Sequence, residues 1–120
     1  MALQERLESM CKKVPGVQVA MVMNLDGLVV VRHAARPDGM DDETLVIELS
    51  GAVRQAMQAV TSVDGGTLSE FAIHFEKGAL VGRYLKDDHF VAMLLSPTAF
   101  LGQCRHELRC QRLPLIQELF

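Results

Sequence analysis

The stretch DDETLVIELSGAVRQAMQAV, residues 41–60, contains the longest helical pattern in the chain. Its three acidic residues at 41–43 place negative charge where a helix N-terminus is electropositive, so we expect the helix to begin there with Asp41 as its N-cap. Apolar side chains then recur at three- and four-residue steps as far as Val60, which is the period of an amphipathic helix. The glycines at 65–66 predict where it ends.

The apolar face of this helix is wider than a helix lying on one side of a sheet needs. It comprises Leu45, Leu49, Ala52, Ala56 and Val60, flanked by Val46, Val53 and Met57. The extra width predicts a second contact, such as the same helix of another subunit. On the opposite side, Ile47 is apolar among polar residues, and Gly51 costs about 1 kcal/mol relative to alanine. Either residue alone is a common surface feature, but together they favour an interface.

Two more helices and five strands are predicted around this helix. Apolar periodicity and turn residues place a helix at 3–14, strands at 17–24, 28–33, 69–76, 79–86 and 89–96, and a last helix after them. The order α-β-β-α-β-β-β-α over residues 1–120 is typical of one domain of α/β (α+β) class. We expect a single five-stranded antiparallel sheet sandwiched by helices.

Three local patterns refine this prediction. The strands at 17–24 and 89–96 are almost continuously apolar and should be central, whereas the strand at 69–76 alternates apolar and polar residues and should lie at an edge that is free to pair. Ser96 and Pro97 have the chemistry of an N-cap and a first helical residue. Pro114 is expected to kink or end the last helix near Leu113.

Composition limits the functions that the chain can have. Its 12 basic and 15 acidic residues give a net charge of −3, which argues against a nucleic-acid partner. The chain has no apolar run long enough to cross a membrane and no signal-peptide pattern, so a membrane partner is not expected. Three cysteines without framework spacing predict free thiols in the cytoplasm.

The sequence offers little chemistry for catalysis, cofactors or metals. Neither the GxxxxGK[ST] nor the GxGxxG spacing occurs. His106 and Cys110 share the i, i+4 spacing of two metal ligands, but two ligands do not close a site. Cys104 has the spacing of a buried packing residue, and the arginines near it and Cys110 supply positive charge without a neighbouring base. An enzyme that uses Cys104, Cys110 or His106 is therefore the weakest of our hypotheses. Arg105, Arg109 and Arg112 form a basic stripe beside the apolar face of the last helix, and we expect their side chains to be solvated.

Four short motifs carry a resemblance to a known family. They are VPGV at 14–17, DGLV at 26–29, LSGAV at 49–53, and LG at 101–102 followed by Arg105. In this order and spacing, from about Leu3 to Leu115, the sequence resembles the roadblock (dynein light chain) family, which has a profilin-like architecture. It is similar to bacterial roadblock regulators of Ras-like small GTPases.

The resemblance implies a homodimer, or a heterodimer with a paralogue, that regulates or scaffolds a Ras-like small GTPase without being an enzyme. It implies that the second helices meet antiparallel at the two-fold axis and that the third strands pair. Carried onto this sequence, the dimer interface would involve Gly51, Arg54, Phe71, Ile73 and Phe75, and the partner-binding surface Ile47, Arg54, Gln55 and Gln58. No cofactor is implied. The alternative hypothesis is a small-molecule sensor of similar architecture with an internal pocket.

Overall fold

The computed structural model describes residues 2–36 and 39–120. Their secondary structure follows the predicted order, and most strand boundaries differ from the prediction by one residue or less. The elements are α1 (Leu3–Lys13), β1 (Val17–Asn24), β2 (Val29–Ala34), α2 (Asp42–Ser62), β3 (Glu70–Phe75), β4 (Gly78–Tyr84), β5 (His89–Leu95) and α3 (Leu101–Leu119).

The five strands form one antiparallel sheet in the order β2-β1-β5-β4-β3. Strands β1 and β5 each pair with a strand on both sides, which confirms that they are central, and both are almost continuously buried. Strand β3 lies at one edge, as its alternating pattern predicts, and pairs with β4 through Phe71 opposite Gly82 and Ile73 opposite Leu80. The fold is therefore the predicted sandwich with β3 open on one side.

Helices cover both faces of the sheet. On one face, α1 and α3 bury Leu7, Met10 and Leu108 against alternate residues of β1, β4 and β5. On the other face, α2 buries Val46 and Val53 against the remaining residues of the same strands. No helix within the described residues combines the length and the apolar character that crossing a membrane requires.

The start of α2 confirms the prediction for Asp41. One carboxylate oxygen accepts a hydrogen bond from the backbone amide of Thr44 at 3.1 Å, and the other accepts one from the Thr44 hydroxyl at 2.6 Å. Because both bonds favour the charged form, they lower the pKa of Asp41. The acidic cap therefore fixes where α2 begins, close to β2, where Arg32 donates to Asp42 at 2.8 Å.

The start of α3 differs from the prediction. Ser96 and Pro97 do not open the helix, which begins at Leu101 after Phe100. The Ser96 amide instead donates to the carbonyl of Gly16 at 2.9 Å. A Cβ on Gly16 would lie 2.7 Å from that of Ala99, so the turn at 96–99 packs tightly on the α1–β1 connection. Because of this contact across the fold, α3 begins four residues later than the predicted first helical residue, Pro97.

Pro114 does not end α3, which continues to Leu119 with the proline inside it. The expected end near Leu113 is therefore wrong. Leu115 beyond the proline is completely buried, and Ile116 and Leu119 pack against the same core. Burial of such side chains contributes roughly 1.5–3 kcal/mol each, which offsets the roughly 3 kcal/mol that an interior proline costs.

Candidate interaction surface

The wide apolar face of α2 is only partly covered by its own chain. The helix turns Val46, Ser50 and Val53 toward the sheet and leaves Ala52 and Ala56 exposed. This corrects the sequence interpretation, which placed both alanines at the centre of the core face. The centre of the buried face is therefore about 100° around the helix from its predicted position. Ser50 can be buried there because its hydroxyl donates to the Ile47 carbonyl at 2.7 Å. The alanines are consequently free for a second contact.

The predicted partner-binding residues lie on the outer side of α2. The side chain of Ile47 is 60% exposed, and Gln55 and Gln58 are exposed as well. Gly51 lies on the same side, and a Cβ placed on it would have no described atom of the rest of the chain within 4 Å. Among the described residues, nothing therefore requires a glycine at this position.

The turn between β1 and β2 packs directly against this part of α2. The Asn24 side chain holds the turn by accepting from the amides of Asp26 at 2.9 Å and Leu28 at 3.1 Å. Gly27 has φ +81°, and a Cβ there would lie 2.9 Å from the Ser50 hydroxyl oxygen. Glycine is therefore required both for the turn and for the close approach to α2.

Leu28 extends the exposed apolar surface next to Ile47. It follows Gly27, whose added Cβ would lie 3.4 Å from the Ile47 Cα, and its own side chain is 63% exposed. Leu28 was not among the predicted binding residues, although its position directly after a turn glycine was a usable signal. Two large apolar side chains on adjoining elements are thus presented to solvent.

Arg54 connects α2 to the same turn. Its guanidinium donates to the carbonyl of Leu25 and to the carboxylate of Asp26, the latter at 3.0 Å. Leu25 is buried, whereas the Asp26 side chain is 85% exposed. The structure therefore gives Arg54 an intramolecular role in holding the turn, in addition to the surface roles that the resemblance implies.

A pocket of about 470 Å³ lies beside Arg54, where the β1–β2 and β4–β5 turns meet α2. Asp87 and Asp88 form its far side with φ of 51° and 60°, and the Asp88 carbonyl accepts from the Leu25 amide at 3.2 Å. The pocket lies between turns at one end of the sheet rather than inside the core. It therefore differs from the internal pocket that the sensor hypothesis expects.

The three predicted interface residues of β3 share the α2 side of the sheet. Phe71 folds inward over Gly82, where a Cβ would lie 2.4 Å from its ring, and meets Phe90 edge-to-face at 5.6 Å. Ile73 and Phe75 are half-buried. Because β5 and β4 separate β1 from β3, the contact of Arg54 with the β1–β2 turn lies away from this edge within one subunit.

The cysteines differ in their surroundings. Burial raises the pKa of Cys11 to about 11 and that of Cys104 to about 12, so both thiols are protonated at neutral pH. Cys110 is exposed, and its Sγ lies 3.5 Å from Nε2 of His106. A base does therefore neighbour this thiol, contrary to the sequence interpretation. Within the described residues, no group of three or more His, Cys, Asp and Glu side chains is arranged to hold a metal ion.

Comparisons with known proteins agree with this architecture. The family model for the Roadblock/LC7 domain matches residues 3–96. No curated protein matches the sequence. Among solved structures, a Roadblock/LC7 domain from Streptomyces avermitilis superimposes with a TM-score of 0.83 at 19% identity, covering 99% of this chain and 98% of that one.

Two further solved structures are similar as well. Gliding protein MglB from Thermus thermophilus superimposes with a TM-score of 0.82 at 16% identity, covering 95% of this chain and 85% of that one. MglC from Myxococcus xanthus superimposes with a TM-score of 0.71 at 26% identity, covering 98% and 99% of the two chains. The MglB likeness concerns the fold alone.

Proposed function

This chain belongs to the Roadblock/LC7 domain family, and from that premise we propose that it is a dimeric, non-enzymatic module that regulates or scaffolds a Ras-like small GTPase. The observation that carries the proposal is the uncovered surface of α2, where Ala52, Ala56 and Gly51 leave room for a second helix and Ile47 remains exposed. A similar structure, MglB, has been seen in a tetrameric arrangement, which supports assembly through this fold.

Assembly would use two features on the same side of the sheet. An unpaired edge strand presents free N–H and C=O groups, and β3 is such an edge with its apolar face half-buried. Pairing two β3 strands across a two-fold axis would extend the sheet and bring the two α2 helices together. Small residues on α2 permit a close helix–helix approach, because they add little bulk between the two backbones.

The GTPase would bind on the outer side of α2. Ile47 and Leu28 offer apolar contact, and Gln55 and Gln58 offer hydrogen bonds around them. Regulation requires different affinities for the two nucleotide states, since a partner shifts an equilibrium only by its preference for one conformation. Arg54 is held by Leu25 and Asp26, which supports a role in shaping this surface rather than in reaching a bound nucleotide.

Light scattering on the purified chain tests the assembly. We expect a mass of twice the monomer at micromolar concentration, and a strict monomer at high concentration would contradict the dimer.

The three free cysteines support a cytoplasmic location, where thiols stay reduced.

The GTPase role is tested by binding and turnover with a candidate Ras-like GTPase from the same organism. Binding is measured with the GTPase loaded with GDP or a non-hydrolysable GTP analogue, and GTP hydrolysis is measured with and without the protein. A preference for one nucleotide state identifies a regulator, and a faster rate of hydrolysis identifies an activator. Equal affinity for both states with an unchanged rate identifies a scaffold, and no binding to either state would contradict the proposal.

A further inference from the structure

A second pocket lies next to α3, between the segment that precedes β3 and the end of β4. Its volume is about 300 Å³, and its lining residues are Thr67, Ser69, Arg83, Tyr84 and Arg112. Because α3 packs on the sheet face opposite α2, this pocket is separate from the surface proposed above for a GTPase. Its polar lining consists largely of hydrogen-bond donors.

Arg112 is held in this pocket by neutral backbone carbonyls. Its Nε donates to the carbonyl of Tyr84 at 3.0 Å and its Nη2 to that of Leu85 at 3.1 Å. A guanidinium has five N–H groups, so three remain for another acceptor. In the described part of the chain no carboxylate pairs with Arg112, although the residue is only partly exposed. A partly desolvated cation held by neutral carbonyls favours an anion beside it.

The neighbouring charges leave the region electropositive. Glu70 is shared between Arg83 at 3.0 Å and Arg105 at 2.6 Å. Glu70 therefore neutralises at most one of these two guanidinium groups, and Arg112 adds a third positive charge at the pocket. Arg83 uses one N–H on Glu70 and keeps others for a ligand in the pocket.

Two hydroxyl groups complete the donor set. Thr67 and Ser69 are exposed at the pocket, and within the described residues neither hydroxyl takes part in a hydrogen bond. The two guanidinium groups and two hydroxyls come from three parts of the chain, namely β4, α3 and the segment before β3. Such a set of donors can serve the several acceptor oxygens of a tetrahedral anion. We propose that this pocket binds a phosphate-type oxyanion, either free phosphate or a phosphoryl group on a protein chain.

The test is a titration of the isotope-labelled chain with inorganic phosphate, followed by NMR at constant ionic strength with chloride as the balancing ion. We expect saturable shifts of the amides of Thr67, Ser69 and Tyr84. Arg112→Gln should raise the dissociation constant at least about tenfold, the loss expected for one charge-assisted hydrogen bond. Arg109→Gln removes the same charge from the exposed side of α3 and should change it less than about twofold.

Each outcome decides for or against the pocket. Shifts that do not saturate, that acetate reproduces with equal affinity, or that Arg109→Gln weakens as much as Arg112→Gln would overturn the proposal. If Arg112→Gln does not fold, the double variant Thr67→Val with Ser69→Ala decides instead: weaker binding supports the pocket and unchanged binding contradicts it. A phosphoserine peptide that binds more tightly than inorganic phosphate identifies a phosphorylated protein as the source, and the reverse order identifies free phosphate.

Discussion

Arg54 on α2 donates a hydrogen bond of 3.0 Å to the carboxylate of Asp26 at the tip of the β1–β2 turn, 28 residues earlier in the chain. The same guanidinium also donates to the carbonyl of buried Leu25. The two contacts should contribute differently to the free energy of unfolding. An exposed ion pair contributes little, whereas a charged group that donates to a buried carbonyl contributes more.

We therefore expect Arg54→Ala to lower the free energy of unfolding by about 1–2 kcal/mol. Asp26→Ala, which removes only the exposed partner, should lower it by less than about 0.5 kcal/mol. Urea denaturation of the two variants measures both. A larger loss for Asp26→Ala than for Arg54→Ala would show that the Leu25 contact is not the stabilising one.

Ile47→Asp should leave the fold intact and weaken partner binding. The side chain is 60% exposed, so an aspartate there costs the helix no more than about 1 kcal/mol. Loss of a central apolar contact should weaken binding to the proposed GTPase partner at least about tenfold. Leu113→Asp is the matched control, because Leu113 is 64% exposed on α3, on the other face of the sheet. Unfolding of Ile47→Asp, or equal binding losses in both variants, would mean that this surface is wrongly assigned.

Gly51→Ala should have opposite effects on the single subunit and on the dimer. Alanine is the better helix former and meets no described atom of the rest of its own chain within 4 Å, so the monomer should gain about 0.5–1 kcal/mol. In the proposed dimer the new methyl group would lie between two helices and raise the dissociation constant. Gly102→Ala, at an equally open glycine of α3, should leave dimerisation unchanged. Tighter dimerisation of Gly51→Ala would exclude Gly51 from a close helix contact.

The buried thiols should make stability fall at alkaline pH. Burial raises the pKa of Cys104 to about 12, above the ordinary value of 9.0, so between these values the unfolded chain releases a proton that the folded chain retains. Stability is then fully present below about pH 9 and declines above it, by at most about 1.4 kcal/mol per pH unit for each such thiol. Urea unfolding from pH 7 to 10.5 measures the slope.

Other groups titrate in the same range, so the informative quantity is the difference between variants. Cys104→Ala should flatten the alkaline slope even though it lowers stability at every pH. Cys110→Ser, at an exposed thiol, should leave the slope unchanged. A Cys104→Ala slope equal to that of the wild type would contradict this account.

Features set by local chemistry could be predicted from the sequence. The cap at Asp41 could be predicted because it needs only a carboxylate three residues before the Thr44 amide. The edge position of β3 could be predicted because alternating apolar and polar residues indicate a strand that is covered on one face. The exposure of Ile47 followed from helical spacing in the same way. None of these depends on a residue that is distant in the chain.

Features set by contacts across the fold could not be predicted. The Ser96 amide bonds to Gly16, 80 residues earlier, and this delays α3. Arg112 was expected to be a solvated rim residue, yet it reaches the carbonyls of Tyr84 and Leu85, 28 and 27 residues away. Side-chain spacing identifies a helix face, but it does not say which strand or loop that face meets.

At Pro114, the local chemistry of proline and the burial of the residues that follow it have opposite effects on α3. Proline lacks the N–H that would bond the carbonyl four residues earlier, yet α3 continues through it because Leu115 is completely buried. Pro114→Ala restores the bond, which should raise the free energy of unfolding by up to about 3 kcal/mol. The greater freedom of the unfolded chain without proline should lower it by about 1 kcal/mol. We expect a net gain of about 1–2 kcal/mol in urea denaturation, with the light-scattering mass unchanged. Neutrality or a loss would mean that the proline shapes the helix so that Leu115 and Ile116 reach the core, and that its local cost is offset by packing that alanine does not reproduce.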